Sequence, residues 1–466
     1  MPREFSARTV LMLQRLGWAA GWACLLAIVL IAQDGQTAFA QGGFGFSQAV
    51  GGISIDASGL VRNAEVDALN QLHAVRARAM ADVPGDLRAA QPLRKVSLRR
   101  IEEETLAARQ RGESIGEAMQ YLAGLQSIRY VIVYPDRGDI VLVGFAEGWK
   151  VDDRGNVVGL TTGKPVLMLD DLLVALRSVR GGRGRPISCS IDPRAEGLRQ
   201  LREFVSTLSD IGDPATTVER IEKLLGPQTV SLAGVSPTSH LARVLVAADY
   251  RMKRLGMGFD QAPVPGMPSY LQMIKASGRG MQNMTPRWWM VPNFLAPLVD
   301  AEGLTFELRG GSVKTLTEET FFADNGARNT QTGKVNPTAQ RWADNMTARY
   351  DDLAAKEPIF AELSNCMTLF VVAALVVDRQ LPMRAGHDFS PLFDAEQVPT
   401  SVFDAPRQID TQANLIKKGN NWVISASGGV KIEPKQLVSR LDPSESLGGV
   451  RGSAEPAPTS YRWWWN

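Results

Sequence analysis

Cysteine and histidine are scarce, with three of each in 466 residues. That leaves too few thiolate or imidazole ligands for a zinc finger, an iron–sulfur cluster or a His-rich metal site, so no metal or cofactor is expected. An excess of one charge is missing too. Fifty-one Lys and Arg stand against 49 Asp and Glu, a net charge of +2, so the chain lacks the basic footprint of a nucleic-acid binder. Gly (43) and Pro (26) follow no collagen period and stay below the range of disordered low-complexity chains. No P-loop, G-x-S-x-G elbow, S-x-x-K, H-E-x-x-H or glycine-rich dinucleotide fingerprint is read in the chain. What is present is apolar content of 44%, enough for a substantial core and for more than one domain.

Residues 1–40 read as a secretory signal peptide. Arg3, Arg8 and Arg15 form the basic start, residues 16–32 the apolar stretch, and Thr37-Ala38-Phe39-Ala40 an Ala-x-Ala cleavage pattern. The apolar run is shorter than the roughly 20 residues a spanning helix needs. The expectation is therefore cleavage, no transmembrane span in the mature chain, and a periplasmic or extracellular location. After cleavage two cysteines remain, Cys189 and Cys366. They are either one disulfide or two buried thiols. Cys189 alternates with Ile187 and Ile191, and Cys366 lies in an apolar helix, which favours the thiols.

Four stretches follow. Residues 41–150 carry one-sided helical patterns at 65–80 and 98–125. Apolar strands at 128–134 and 140–145 are joined by Pro135-Asp136-Arg137-Gly138. Residues 151–260 alternate strand and helix. Strands are expected at 166–169, 187–191 and 229–235, with helices opened by Asp170, Asp192-Pro193 and Ser236-Pro237, and a further helix at 216–225. This order predicts parallel strands with right-handed crossovers. In the last helix Leu241, Leu245, Ala248, Met252 and Leu255 share a face. Asp249 and Lys253 form an i,i+4 pair, and Arg243, Arg251 and Arg254 read as a solvated face. Residues 261–385 contain strands near Trp288-Trp289 and Thr305-Phe306, then helices at 337–355 and 358–377. The latter has an eleven-residue apolar run suited to a buried helix. Residues 386–466 are loop-rich, with a hairpin near 413–432 and a polar tail ending Trp463-Trp464-Trp465-Asn466. Strand–turn–strand phrases recur at 53–61, 149–158 and 422–430. The expected fold is α/β to α+β: a mixed sheet with a parallel βαβ section, a helical C-terminal part and accessory β-hairpins.

Phrases spread over roughly residues 50–435 carry a resemblance. They include Gly52-Ile53-Ser54-Ile55-Asp56-Ala57, Val131-Ile132-Val133-Tyr134-Pro135, Ala146-Glu147-Gly148-Trp149, Leu169-Asp170-Asp171-Leu172-Leu173, Cys189-Ser190-Ile191-Asp192-Pro193-Arg194, Ala248-Asp249-Tyr250-Arg251-Met252-Lys253 and Pro286-Arg287-Trp288-Trp289. Together they resemble a planctomycete family of exported proteins of unknown function (DUF1598-like). The resemblance implies export and a planctomycete-type envelope, and it carries over no catalytic residue.

The candidate site residues fall where strands pass into helices. If the strands are parallel neighbours, Asp170-Asp171, Asp192 with Arg194, and Ser236 with Thr238-Ser239-His240 share the edge where open sheets bind ligands. Helix N–H groups and hydroxyls there favour an anion. Ser236, His240, Asp170 and Asp192 are then catalytic candidates for a hydrolase, with Asp171, Arg194, Thr238 and Ser239 as ligand contacts. The plainer reading makes Asp170, Asp192 and Ser236 helix caps, each worth about 1 kcal/mol. Cys189 with His240 as nucleophile and base conflicts with the apolar strand face of Cys189. Trp288-Trp289, Tyr130 and Tyr134 either line a glycan or peptide groove or belong to the core. Trp463, Trp464 and Trp465, in a polar tail, read as a docking element for a partner or a membrane interface. Without a catalytic signature, the sequence favours a non-catalytic binding or cell-envelope assembly protein whose partner is an envelope protein or glycan; a hydrolase is the alternative.

Overall fold

The computed structural model describes residues 53–55, 61–63, 83–152, 154–208, 212–276, 286–317, 321–322, 328–329, 336–403, 405–414, 416–418, 421–423, 426–454 and 462–466. The signal segment, the helix expected at 65–80 and the turn at 56–60 lie outside the described residues.

Strand β1 (Gln91–Ser97) runs straight into α1 (Leu98–Arg111). Ser97 caps the helix, its hydroxyl accepting from the Arg100 N–H at 3.0 Å. The apolar runs that follow form β2 (Tyr130–Tyr134) and β3 (Asp139–Ala146), the expected hairpin, with every residue of β2 buried. Then come α2 (Leu169–Gly182), β4 (Ile187–Asp192), α3 (Ala195–Thr207), α4 (Pro214–Leu225), β5 (Gln228–Ala233) and α5 (His240–Gly256). The long strands β6 (Arg287–Val299) and β7 (Thr305–Thr317) precede α6 (Pro337–Ala348) and α7 (Pro358–Asp378). Short strands β8 (Gln408–Ile409), β9 (Ser427–Ile432), β10 (Asp442–Pro443) and β11 (Trp464–Trp465) close the order.

These eleven strands make one sheet in the order β8-β5-β4-β9-β6-β7-β2-β3-β1-β11, with β10 also beside β6. Strand β6 is parallel to β9 and to β10; the other pairs are antiparallel. The sheet is mixed and the class is α+β. The parallel pairing is not where the sequence placed it. Strands β4 and β5 are antiparallel neighbours, Ser188 opposite Ala233 and Asp192 opposite Thr229. Two helices connect them: α3 leads the chain away and α4 returns it, so the second strand arrives reversed. Leu198, Leu201, Ile221 and Leu225 close a small core between those helices. Nor do residues 166–168 form a strand; the Leu167 N–H donates to the Leu125 carbonyl at 2.7 Å.

The hairpin phrase at 422–430 is also divided. Asn421–Val423 pairs with Ile416–Lys418, while β9 enters the central sheet between β4 and β6. Gly428 explains its entry: its φ is 118°, and a Cβ there would come within 1.8 Å of the Trp288 carbonyl oxygen. Only a glycine admits that approach. The phrase at 149–158 is a true hairpin, Trp149–Val151 against Val157–Gly159.

Helix α7 is apolar on all sides, with a mean hydropathy of 2.0 over 18 residues, 83% of which are buried. Its length and composition would let it cross a bilayer; here it lies within the core, against α2, α5 and β7. Cys366 on α7 and Cys189 on β4 are buried free thiols.

The tryptophan tail is not a loose terminus. Trp464 and Trp465 pair with Val96 and Lys95 of β1, and the Ser97 N–H donates to the Trp463 carbonyl at 2.9 Å. Trp463 is 8% exposed. Asn466 accepts from Arg94 Nε at 2.7 Å and donates to the Asp86 carbonyl at 3.0 Å. Arg94 is wholly buried, and its other N–H groups reach the Leu87, Ala89 and Ala123 carbonyls. An open sheet edge presents unpaired backbone groups and a row of half-buried side chains, and the tail covers both. Trp463→Ala is expected to lower stability by about 3–5 kcal/mol, and Asn466→Ala by about 1–3 kcal/mol through the unpaired Arg94 donor. Chemical denaturation of each variant reads this out; unchanged midpoints would mean that the tail adds nothing to the fold.

Candidate functional site

Helix α5 carries buried ionisable groups at both ends, and the two ends differ. At the N-terminal end the helix begins at His240, with Ser239 as its cap, accepting from the Ala242 N–H at 3.1 Å. Ser236 is therefore not the cap; its hydroxyl pairs with that of Thr238 at 3.1 Å on an exposed turn. The other two expected caps are displaced as well. Met168 precedes α2, leaving Asp170 and Asp171 in its first turn, and Arg194 precedes α3, leaving Asp192 as the last residue of β4.

The two helix starts meet through His240 and Asp171, Nδ1 to Oδ2 at 2.9 Å. Phe403 stands edge-on to the imidazole, with ring centroids 5.1 Å apart. The segment around Phe403 is laced across both helices: the Ser401 N–H donates to Asp170 at 3.0 Å, the Phe403 N–H to the Thr238 carbonyl at 2.9 Å and the Ala405 N–H to the Pro237 carbonyl at 3.2 Å. Burial disfavours the imidazolium, but the Asp171 charge and hydrogen bond, with Glu362 beyond, outweigh it and lift His240 to about 9. Burial also pushes the Asp170 carboxyl up, against the hydrogen bond from Ser401.

The structure thus joins Asp171 to His240 and Asp170 to Ser401, and keeps Ser236 with Thr238. Asp192 lies apart, close enough to Asp249 to raise its carboxyl. The Arg194 guanidinium lies over Gly226, where a Cβ would come within 2.2 Å of it. Among the described residues no serine–histidine hydrogen bond links this group, whose histidine pairs with Asp171 and whose Ser236 pairs with Thr238. The thiols offer no alternative, because complete burial pushes both well above the ordinary range. Residues Gly112-Glu113-Ser114-Ile115-Gly116 do match G-x-S-x-G, but the serine is exposed and follows helix α1, whereas a nucleophile elbow joins a strand to a helix. Three of the aromatic candidates are core, while Trp289 is half-buried with the Arg287 guanidinium over its ring. Trp288 is fully buried between Tyr270 and Trp342, and Tyr130 and Tyr134 are 7% exposed.

At the C-terminal end of α5 lies the i,i+4 pair of Asp249 and Lys253. Asp249 is fully buried and Lys253 8% exposed. Lys253 Nζ donates to Asp249 Oδ2 at 2.9 Å, to the Ile191 carbonyl of β4 at 2.8 Å and to the Gly428 carbonyl of β9 at 3.2 Å. Burial pushes the Asp249 carboxyl far above the usual carboxylate range, with the Lys253 charge pulling the other way. The arginines are not a solvated face. Arg254 makes a two-pronged pair with Asp260 at 2.7 and 2.8 Å, Arg251 joins Asp260 and Glu357, and Arg243 is buried. One signal was available in the sequence: Asp249 is four residues from Leu245 and three from Met252, inside the apolar arc.

Beside these groups opens a shallow pocket with about 370 Å³ of empty space, part of it open solvent. Its apolar wall is Ile191, Met257, Phe259, Ile409 and Ala426; its polar groups are Gln228, Tyr250, Lys253, Arg254, Asp410 and Gln412. Arg254 reaches the Tyr250 hydroxyl at 3.3 Å and the Gln412 amide oxygen, and lies over the Tyr250 and Phe259 rings. Among the described residues, no three His, Cys, Asp or Glu side chains cluster as metal ligands.

Residues 189–270 match the model of a family described as a protein of unknown function (DUF1598). The matched stretch runs from β4 past the end of α5 and supplies His240, both members of the Asp249–Lys253 pair and most of the pocket wall. No curated protein and no solved structure matches the chain significantly.

Two outcomes follow. Lys253→Met leaves the Asp249 carboxyl buried without its cation, an expected loss of about 3–5 kcal/mol, and a joint Asp249→Leu, Lys253→Met change recovers most of it; urea unfolding of single and double variants checks this. His240 is raised in the folded state above its ordinary 6.5. Its contribution is complete below about pH 6.5 and is lost as the pH climbs through about 9. His240→Gln is expected to remove that alkaline slope from a stability–pH profile; an unchanged slope would separate the pair from the pH response.

Proposed function

We propose that this is an exported, non-catalytic binding protein whose ligand seat is the pocket at the C-terminal end of α5. One observation carries the reading: along α5 the buried ionisable groups are engaged by one another and by backbone carbonyls rather than held ready for proton transfer. Lys253 uses its three donors internally, His240 is held by Asp171, and Arg251 and Arg254 share Asp260. A catalytic site keeps a nucleophile or base within reach of a substrate; here the pocket has a fixed, charge-matched polar wall facing an apolar one, the common make-up of a binding site. The basic, apolar and Ala-x-Ala leader supports export, and an envelope protein or glycan is then a natural source of the ligand. The hydrolase reading needs Ser236, His240, Asp170 and Asp192 to converge, and their partners differ.

Screening a small-fragment library by ligand-observed NMR tests the seat. Fragments are expected to bind the wild-type chain and to lose binding in Ala426→Trp, whose indole fills the pocket. Equal binding to both proteins, with Ala426→Trp still folded by its melting profile, would place the seat elsewhere.

A further inference from the structure

The pocket's chemistry narrows what it takes, given that the reading of it as a ligand seat holds. Its two cations are already committed. Arg254 spends Nε and Nη2 on Asp260 and Nη1 on the Tyr250 hydroxyl and the Gln412 amide oxygen. Lys253 spends its three donors on Asp249, Ile191 and Gly428. The opposing carboxylates, Asp249 and Asp260, balance these charges within the wall. Asp410 is different. It lines the pocket and is exposed, and its carboxylate makes no hydrogen bond or ion pair among the described residues. The charge left for a ligand is therefore one negative charge at the mouth, above a wall of Ile191, Met257, Phe259, Ile409 and Ala426. The Tyr250 and Phe259 rings are covered by the Arg254 guanidinium, which leaves the aliphatic wall rather than an aromatic face for contact.

We infer that the pocket binds an alkylammonium group, its aliphatic shaft against Ile191, Met257 and Ile409 and its cation at Asp410. An anion finds no cationic donor to spare on Lys253 and a repelling carboxylate at the mouth. A neutral alcohol of the same shape keeps the apolar contact and loses the charge. The same group could be offered by a free amine or by a lysine side chain of a partner protein, and the probes below separate the two.

The experiment titrates the full chain with n-hexylammonium, n-hexanol and n-hexanoate, and with acetyl-Gly-Gly-Lys-Gly-Gly-amide beside its norleucine counterpart, followed by calorimetry or ligand-observed NMR. The ammonium is expected to bind up to about five-fold tighter than the alcohol, the range of an exposed charge pair. Asp410→Asn should erase that difference, added salt should shrink it, and Ala426→Trp should abolish binding of both probes. Preference for the lysine peptide over the free amine assigns the ligand to a protein, and the reverse preference to a small amine; either supports the inference. Equal binding of ammonium and alcohol, tighter binding of hexanoate, or no effect of Asp410→Asn overturns the ammonium assignment while leaving the seat intact. Failure of every probe overturns the seat together with the assignment.

Discussion

A single buried ammonium joins one helix and two strands at the centre of this structure. Lys253 leaves α5, enters the protein interior and ties that helix to two strands, β4 through the Ile191 carbonyl and β9 through the Gly428 carbonyl. Taking a charge out of water costs several kcal/mol unless it is fully coordinated, so each surrounding piece is constrained. Asp249 must sit one turn earlier on the helix. Strand β9 must lie between β4 and β6, close enough for its carbonyl to be reached. That closeness is also what excludes a side chain at Gly428, against the Trp288 carbonyl. The parallel contact of β6 and β9, between segments remote in sequence, and the docking of α5 over the sheet are thus parts of one arrangement.

The core grows outward from that arrangement. Helix α7 fills the space against α2, α5 and β7, and its all-round apolar surface is satisfied only because each side meets another element. The starts of α2 and α5 are then joined by Asp171 and His240, under the segment that carries Phe403. That segment continues into β8 and on to Asp410 and Gln412. One stretch of chain therefore covers the histidine pair and also supplies one wall of the pocket. Far across the sheet, the β1 edge is closed by the chain's own last residues rather than left open.

Polar burial in this protein follows one pattern. Arg94, Lys253, Arg254 and His240 each sit where water is largely excluded, and each is met by carbonyls or a carboxylate. Such groups add little net stability compared with apolar replacements of the same volume, but losing one partner is severe. They select one arrangement of elements over others. The pocket shows the same pattern: Lys253 and Arg254 in its wall are met by Asp249 and Asp260, while the Asp410 carboxylate has no hydrogen-bond or ion-pair partner among the described residues.

Much of the local structure was legible in the residues. Alternation and turn chemistry marked the hairpin of β2 and β3, and the apolar stripe through Leu241, Leu245, Ala248, Met252 and Leu255 marked the buried face of α5; all five are buried. The continuous apolar run at 367–377 marked a core helix. These signals are periodic and short-range, so composition and spacing suffice to read them. What the residues alone did not decide is direction and company. Whether β4 and β5 run parallel depends on α3 and α4 folding back on each other, and whether Gly428 follows Trp422 in a hairpin depends on a gap between two distant strands. The partners of the candidate residues were out of reach of the sequence for the same reason. Asp249 and Lys253 look like any i,i+4 pair until the sheet order brings the Ile191 and Gly428 carbonyls to Lys253, and Asp170 looks like a cap until the Ser401 N–H reaches it. Local periodicity determined which segments are helices and which faces are apolar. Only the tertiary structure decided which charges are buried and what each one meets, because those contacts join residues far apart along the chain.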